Sequence, residues 1–203
     1  MTSPTRKKKA ATTYHHGDLR NVLLGVARLK LTTGEYESLS LRELARLAGV
    51  SPNAPYRHFA SKDEILAEVA AQGFSELSAH FDKDAYPEPR ERLARMGDIY
   101  TRFAMDQPAL YRVMFGADKH VLMEFEVLGD AGRGCFGRLV QATAEASGRT
   151  DADDPLMLQR ALAVWSIVHG WSRLAIDGVT HFLPEDSMPS ASAVVRSIVA
   201  SWD

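Results

Sequence analysis

The stretch 39–63, LSLRELARLAGVSPNAPYRHFASKD, leaves little freedom in how it can fold. Ser40 precedes an apolar-periodic run and has Glu43 three residues on, the spacing of a capping box that opens a helix. Leu44, Ala45, Leu47 and Ala48 supply an apolar stripe, and Gly49 stands where a helix end favours a residue tolerant of positive φ. Val50 leads to Ser51, a second N-cap, with Pro52 at the first helical position, where a missing N–H costs nothing. Tyr56 and Phe59 anchor this second short helix, and Ser61 with Glu64 repeats the box to start a third. Two short helices about a tight glycine turn make a helix-turn-helix, whose second helix suits a DNA major groove. Pro55 breaks the pattern: it cannot donate to the Ser51 carbonyl and its ring crowds it, so distortion is expected there.

The chain around this unit has 203 residues, 45% hydrophobic and 25% charged, enough for a sizeable soluble core. One cysteine, Cys135, excludes an internal disulfide and suits a reducing cytoplasm. The net charge of −2 hides an uneven distribution. Residues 1–62 carry eleven lysines and arginines against four carboxylates, a net of +7, whereas residues 63–203 carry −9. Without the basic run 6–9 the first part still keeps +3, so it is the part suited to a polyanion. Asp18, Arg20 and Arg28 interrupt the apolar stretch behind the basic start, so no signal-peptide core exists, and no run approaches a membrane span. The expected location is the cytoplasm.

Residues 1–13 are polar and unpatterned and are expected to be a disordered arm. Arg6, Lys7, Lys8 and Lys9 suit either a DNA backbone or a solubilising tail. Leu19, Val22, Leu23, Val26 and Ala27 mark a first helix over 17–33. His15, His16 and Asp18 are not a metal set, because adjacent histidines cannot easily share one tetrahedral site and nothing downstream completes it. Further helices are expected over 61–81, 90–105, 108–115, 120–146 and 153–176, with a last one ending the chain. Gly129, Gly132, Gly134 and Gly137 predict a kink or break near 129–134. The last helix carries Ala191, Val194, Val195, Ile198, Val199 and Trp202 as one wide apolar stripe. No strand alternation, phosphate loop, acidic pair or nucleophile–base set occurs, so catalysis through His169, Asp177 or Cys135 is not expected, nor is a cofactor.

The run GVSPNAPYRHFASKDEIL resembles the helix-turn-helix signature of TetR-type transcriptional regulators, through Gly49, Val50, Ser51, Tyr56, His58, Phe59, Ser61, Lys62, Asp63 and Glu64. Trp165, His169 and Gly170 form a W-x-x-x-H-G run similar to a TetR subgroup named for it, as is RFAMDQPALYRVMFG upstream. The resemblance implies an all-α chain of about nine helices. A three-helix DNA-binding domain (14–62) would be followed by a larger effector-binding and dimerisation domain (63–203), with the boundary inside the helix from Ser61. It implies a homodimer through helices 153–176 and 190–202, bound to a palindromic double-stranded operator and released by a small apolar or aromatic effector. An effector-independent regulator silenced by a protein partner is the alternative.

Carried over position by position, Ser40 at its helix N-terminus, Tyr56, His58 and Lys62 would hold phosphates. Ser51, Pro52, Asn53 and Ala54 lie at the front of the second helix, where Asn53 can bond an adenine edge and Ala54 can touch a thymine methyl. Arg42 can reach a guanine or a phosphate. For the effector, the candidates are Tyr100, Phe103, Tyr111, Met114, Phe115, Phe125, Trp165 and His169. Large apolar side chains at helical spacing are equally what a core needs, and His169 by itself reads as a satisfied core histidine.

Overall fold

The computed structural model describes residues 19–34, 39–83, 86–116, 122, 124–149, 151, 154–181 and 189–202. The basic arm, His15, His16, Asp18, the start of the expected helix at 120, Met123 and the loop 182–188 lie outside the described residues. Among the described residues there is no strand. Eight α-helices follow in order: α1 (Leu19–Thr32), α2 (Leu41–Ala48), α3 (Lys62–Lys83), α4 (Pro89–Asp106), α5 (Pro108–Phe115), α6 (Glu126–Ala146), α7 (Pro155–Ile176) and α8 (Ala191–Val199). Two 3-10 turns, Pro55–Arg57 and Ala200–Trp202, complete the described elements. Among the described residues the second helix of the expected helix-turn-helix is a 3-10 turn rather than an α-helix, for a reason that lies in Pro55.

Most ends are set by local chemistry. Proline opens α4, α5 and α7, where its missing N–H would have had no intrahelical partner. The Glu88 carboxylate accepts from the Arg90 and Glu91 amides, Asp154 from Leu156, and Ser190 from Ala193. The break expected in α6 does not occur: one helix runs from 126 to 146 through all four glycines. Their propensity cost is local, and tertiary packing of the helix outweighs it.

Leu23, Leu24, Ala27 and Leu31 of α1 meet Leu44 of α2, Phe59 and Ile65 in one buried cluster. The 22 residues of α3 span about 33 Å. Its first half closes this three-helix head, and its second half enters the body against α5 and α6. There α4 packs on α6, α7 and α8. On α3, Gly73 lets α5 approach, since a Cβ on it would sit 2.6 Å from Met114 Sδ. The stripe of α8 is divided: Ala191, Val195 and Val199 are buried in their own chain, whereas Val194 and Ile198 remain half-buried. Trp202 stacks under Arg160 at 4.7 Å, and the same guanidinium donates to its carbonyl.

Head and body are also joined by Arg28 of α1. Its guanidinium makes paired bonds to the Glu76 carboxylate on α3 and a further bond to Gln107 Oε1. Gln107 ends α4 and begins α5: its N–H donates to Phe103 O and its carbonyl accepts from Tyr111. Bonding to Arg28 holds the Glu76 carboxyl below its ordinary range.

Candidate functional sites

The corner of the helix-turn-helix is built by two caps. The Glu43 amide donates to Ser40 Oγ at 3.2 Å, while the Glu43 carboxylate turns away to Arg46 and Lys30. Only half of the expected capping box therefore forms. Gly49 closes α2 at φ 69° and ψ 27° with its N–H on Arg46 O, and Val50 N–H reaches Ala45 O at 3.0 Å. These two bonds are a Schellman motif, which turns the chain sharply out of α2.

Beyond the corner the bonds run from residue i to i+3 until the segment ends, where Phe59 N–H also reaches Pro55 O at 3.0 Å. Ala54 N–H meets Ser51 O at 2.9 Å, Arg57 meets Ala54 O at 3.2 Å, and His58 meets Pro55 O at 2.9 Å. With no donor at Pro55, an α-helical bond to Ser51 cannot form, and the segment tightens into 3-10 geometry. This also corrects the expected role of Tyr56. Pro55 and Phe59 are the buried anchors, while Tyr56 is 51% exposed.

Ser40, Arg42, Ser51, Pro52, Asn53 and His58 are exposed as well, and Ala54 and Lys62 are partly so. All nine residues expected at DNA thus lie at or near the surface: Ser40 and Arg42 at the start of α2, Ser51 to Ala54 in the turn after it, Tyr56 and His58 in and just after the 3-10 segment, and Lys62 opening α3. Arg57, overlooked in the sequence, is exposed between Tyr56 and His58. Its signal was present: a fixed positive charge flanked by two expected phosphate contacts. Among the described head residues, the acid Glu68 is paired to Arg20 and Glu43 to Arg46.

The body holds a second site. A cavity of about 370 Å³ lies among α3, α4, α5, α6 and α7. Of the residues named for the effector, Tyr100, Met114, Phe115 and Trp165 line it, whereas Phe103, Tyr111, Phe125 and His169 are not among its lining residues. Phe136 also lines it, and Gly97, Gly129, Gly132 and Arg133 line it without having been foreseen. A glycine pair three residues apart on an apolar helix was the available signal. At Gly132 an added Cβ would meet nothing within 4 Å, so the absent side chain is part of the open space.

His169 closes one wall from behind. Its Nδ1 lies 2.9 Å from Tyr100 Oη and 2.8 Å from Tyr111 Oη, and the two hydroxyls are 3.3 Å apart. Trp165 Nε1 donates to Tyr100 Oη at 3.4 Å. Phe115 packs edge-on to the imidazole at 4.9 Å. Burial pushes the Tyr111 hydroxyl up to about 12 and raises that of Tyr100 as well, so both phenols keep their protons at ordinary pH. Burial also raises the Cys135 thiol on the adjoining wall, which keeps it protonated and unreactive. Among the described residues no group of three His, Cys, Asp or Glu is placed to hold a metal, and no helix is long and apolar enough to cross a membrane.

Comparison with known proteins places both sites in one family. The family described as bacterial regulatory proteins, tetR family, matches residues 24–69, which contain the capped corner. The tetracyclin repressor-like C-terminal domain matches residues 93–198, more than half of the chain, including Trp165, His169 and Gly170. A protein of unknown function from Rhodococcus sp. RHA1 is 31% identical and superposes with a TM-score of 0.74 over 95% of this chain and 97% of that one. Two others share the fold. The TetR family transcriptional regulator PfmR from Thermus thermophilus is 23% identical (TM-score 0.52, 89% and 96% covered). The fatty acid degradation regulator FadR from Bacillus halodurans is 13% identical (TM-score 0.61, 93% and 96% covered). No curated protein sequence matches the chain. With its capped reading corner at one end and its cavity at the other, the chain belongs to the TetR family and is a DNA-binding transcriptional regulator.

Proposed function

We propose that this regulator is a ligand-responsive repressor whose dimer binds a palindromic operator and is released when a small apolar or aromatic effector enters the body. The observation that carries this reading is the apolar cavity of about 370 Å³, within the range of about 300–1,000 Å³ typical of ligand sites. A core with no ligand to hold would close such a space, because unfilled volume costs stability. The residues 14–62 form the reading unit, and the rest form the effector and pairing unit. Ser40, Tyr56, Arg57, His58 and Lys62 grip backbone phosphates, while Pro52, Asn53 and Ala54 meet base edges with Arg42 beside them. Pairing runs along α7 and the half-buried residues of α8.

An effector works here by binding one spacing of the paired heads better than the other, which lowers operator affinity by the same differential. The test is selection of bound genomic fragments by the purified protein, followed by release with a panel of apolar compounds. Release accompanied by a raised melting temperature supports the reading. DNA binding that no compound alters, but that a second protein abolishes, replaces it with a partner-controlled regulator.

A further inference from the structure

The interior of the cavity and its rim differ in chemistry. Inside, the Tyr100 hydroxyl is already engaged by His169, Tyr111 and Trp165, and the Cys135 thiol is bonded to Ser78. The remaining described lining there is aliphatic or aromatic carbon and glycine backbone. A polar group carried into this space would lose water and find no donor still open to it. Whatever polar head a ligand has must stay at the rim.

At the rim stands Arg133, the one charged side chain among the described lining residues. Its guanidinium folds back one turn along α6 and lies over Gly129: a Cβ there would be 3.1 Å from Arg133 Nη1. Gly129 is itself part of the cavity wall, so the missing side chain brings a fixed positive charge onto the lining. The guanidinium is paired with Asp130, but the two side chains are 70% and 64% exposed. A pair that open to water is weak, so an incoming anion can replace Asp130 at little cost. Arginine is suited to this exchange because its planar fork accepts a carboxylate through two parallel bonds.

Resting on the reading of the cavity as the effector site, we propose that the effector is an amphipathic monocarboxylate. Its aliphatic or aromatic tail fills the space between α3, α4, α6 and α7, and its carboxylate sits at the rim on Arg133. The carboxylate, ionised at neutral pH, gains a charge-assisted bond that a neutral head of the same length cannot make.

Two matched probe pairs test this by calorimetric titration of the full chain: octanoate against octan-1-ol, and 4-phenylbutanoate against 4-phenylbutan-1-ol. Within each pair the acid is expected to bind about tenfold or more tighter than the alcohol. In Arg133→Gln, at an exposed site that leaves folding intact, the acid should fall to the alcohol's affinity while the alcohol is unchanged. Asp130→Asn, which removes the competing carboxylate, should tighten the acid further. Equal binding of acid and alcohol, or a preference for the acid that survives Arg133→Gln, overturns the carboxylate assignment alone. Binding of neither head on either tail overturns the cavity as the effector site as well.

Discussion

Lys62 and Tyr56 differ in what their loss would do, although both are proposed to grip phosphates. Lys62→Ala removes a counterion-releasing contact, so affinity should fall for every duplex and the slope of log affinity against log salt should shrink by roughly one unit. Tyr56→Ala should weaken binding to every duplex while leaving that slope alone, since a neutral hydroxyl displaces no cation. Asn53→Ala should relax preference at a single base pair, by about 1–3 kcal/mol, and titration against a set of single-substituted operators would read it. The tyrosine pair in the body makes a different prediction. Its phenols are held neutral, so the stability they add is whole below the ordinary tyrosine value near 10 and is lost as pH rises from there through about 12. Urea midpoints should therefore drop between those limits, and Tyr111→Phe should flatten that drop. Single residues differed in how readable they were. Gly49 was legible because the left-handed corner after α2 has one cheap occupant. The outward turn of Tyr56 was not, because 3-10 winding moves each side chain around the axis by a different angle from α winding.

Helices were legible wherever start and stop are local. Proline-led N-termini with a side-chain cap put α4 and α7 within two residues of their expected bounds. The cavity was legible only in part: Tyr100, Met114, Phe115 and Trp165 were named for a pocket, but its outline was not, because it is a remainder left by several helices and no one segment carries its pattern. The glycines of α6 show the difference: taken alone they suggest a break, but Gly129 and Gly132 mark where wall is withheld. Gly132→Leu tests this. It replaces a poor helix former at a site with open space, so the free protein should gain about 0.5–1 kcal/mol. The new side chain would occupy the cavity, so probe binding should be lost. Thermal melting and calorimetry on the same variant would show both, and gain of stability with unchanged binding would remove Gly132 from the site.

For the molecule as a whole, α7 exposes large apolar side chains along both edges of its outer side. Leu156, Leu158, Leu162, Ile167 and Leu174 are all exposed, Leu162 by 41%. Regulators of this family dimerise, and pairing along α7 would cover these side chains. Leu162→Glu should place a charge in the seam and cost about 2 kcal/mol or more of association, with sedimentation shifting toward the single chain and palindrome binding falling with it. A variant that stays paired would move the seam elsewhere. The sequence signalled the terminal stripe for this role, yet half of that stripe closes on its own chain. Periodicity measures how apolar a face is; which neighbour covers it depends on tertiary placement.

The bond from Arg28 to Gln107 has a mechanical meaning. Gln107 is the elbow between two helices that bound the cavity, and Arg28 belongs to the first helix of the head. Any shift of that elbow must either drag the head along or break a charge-assisted link. Arg28→Lys keeps the charge but cannot grip Glu76 and Gln107 together, so each ligand should still bind while its influence on the other fades.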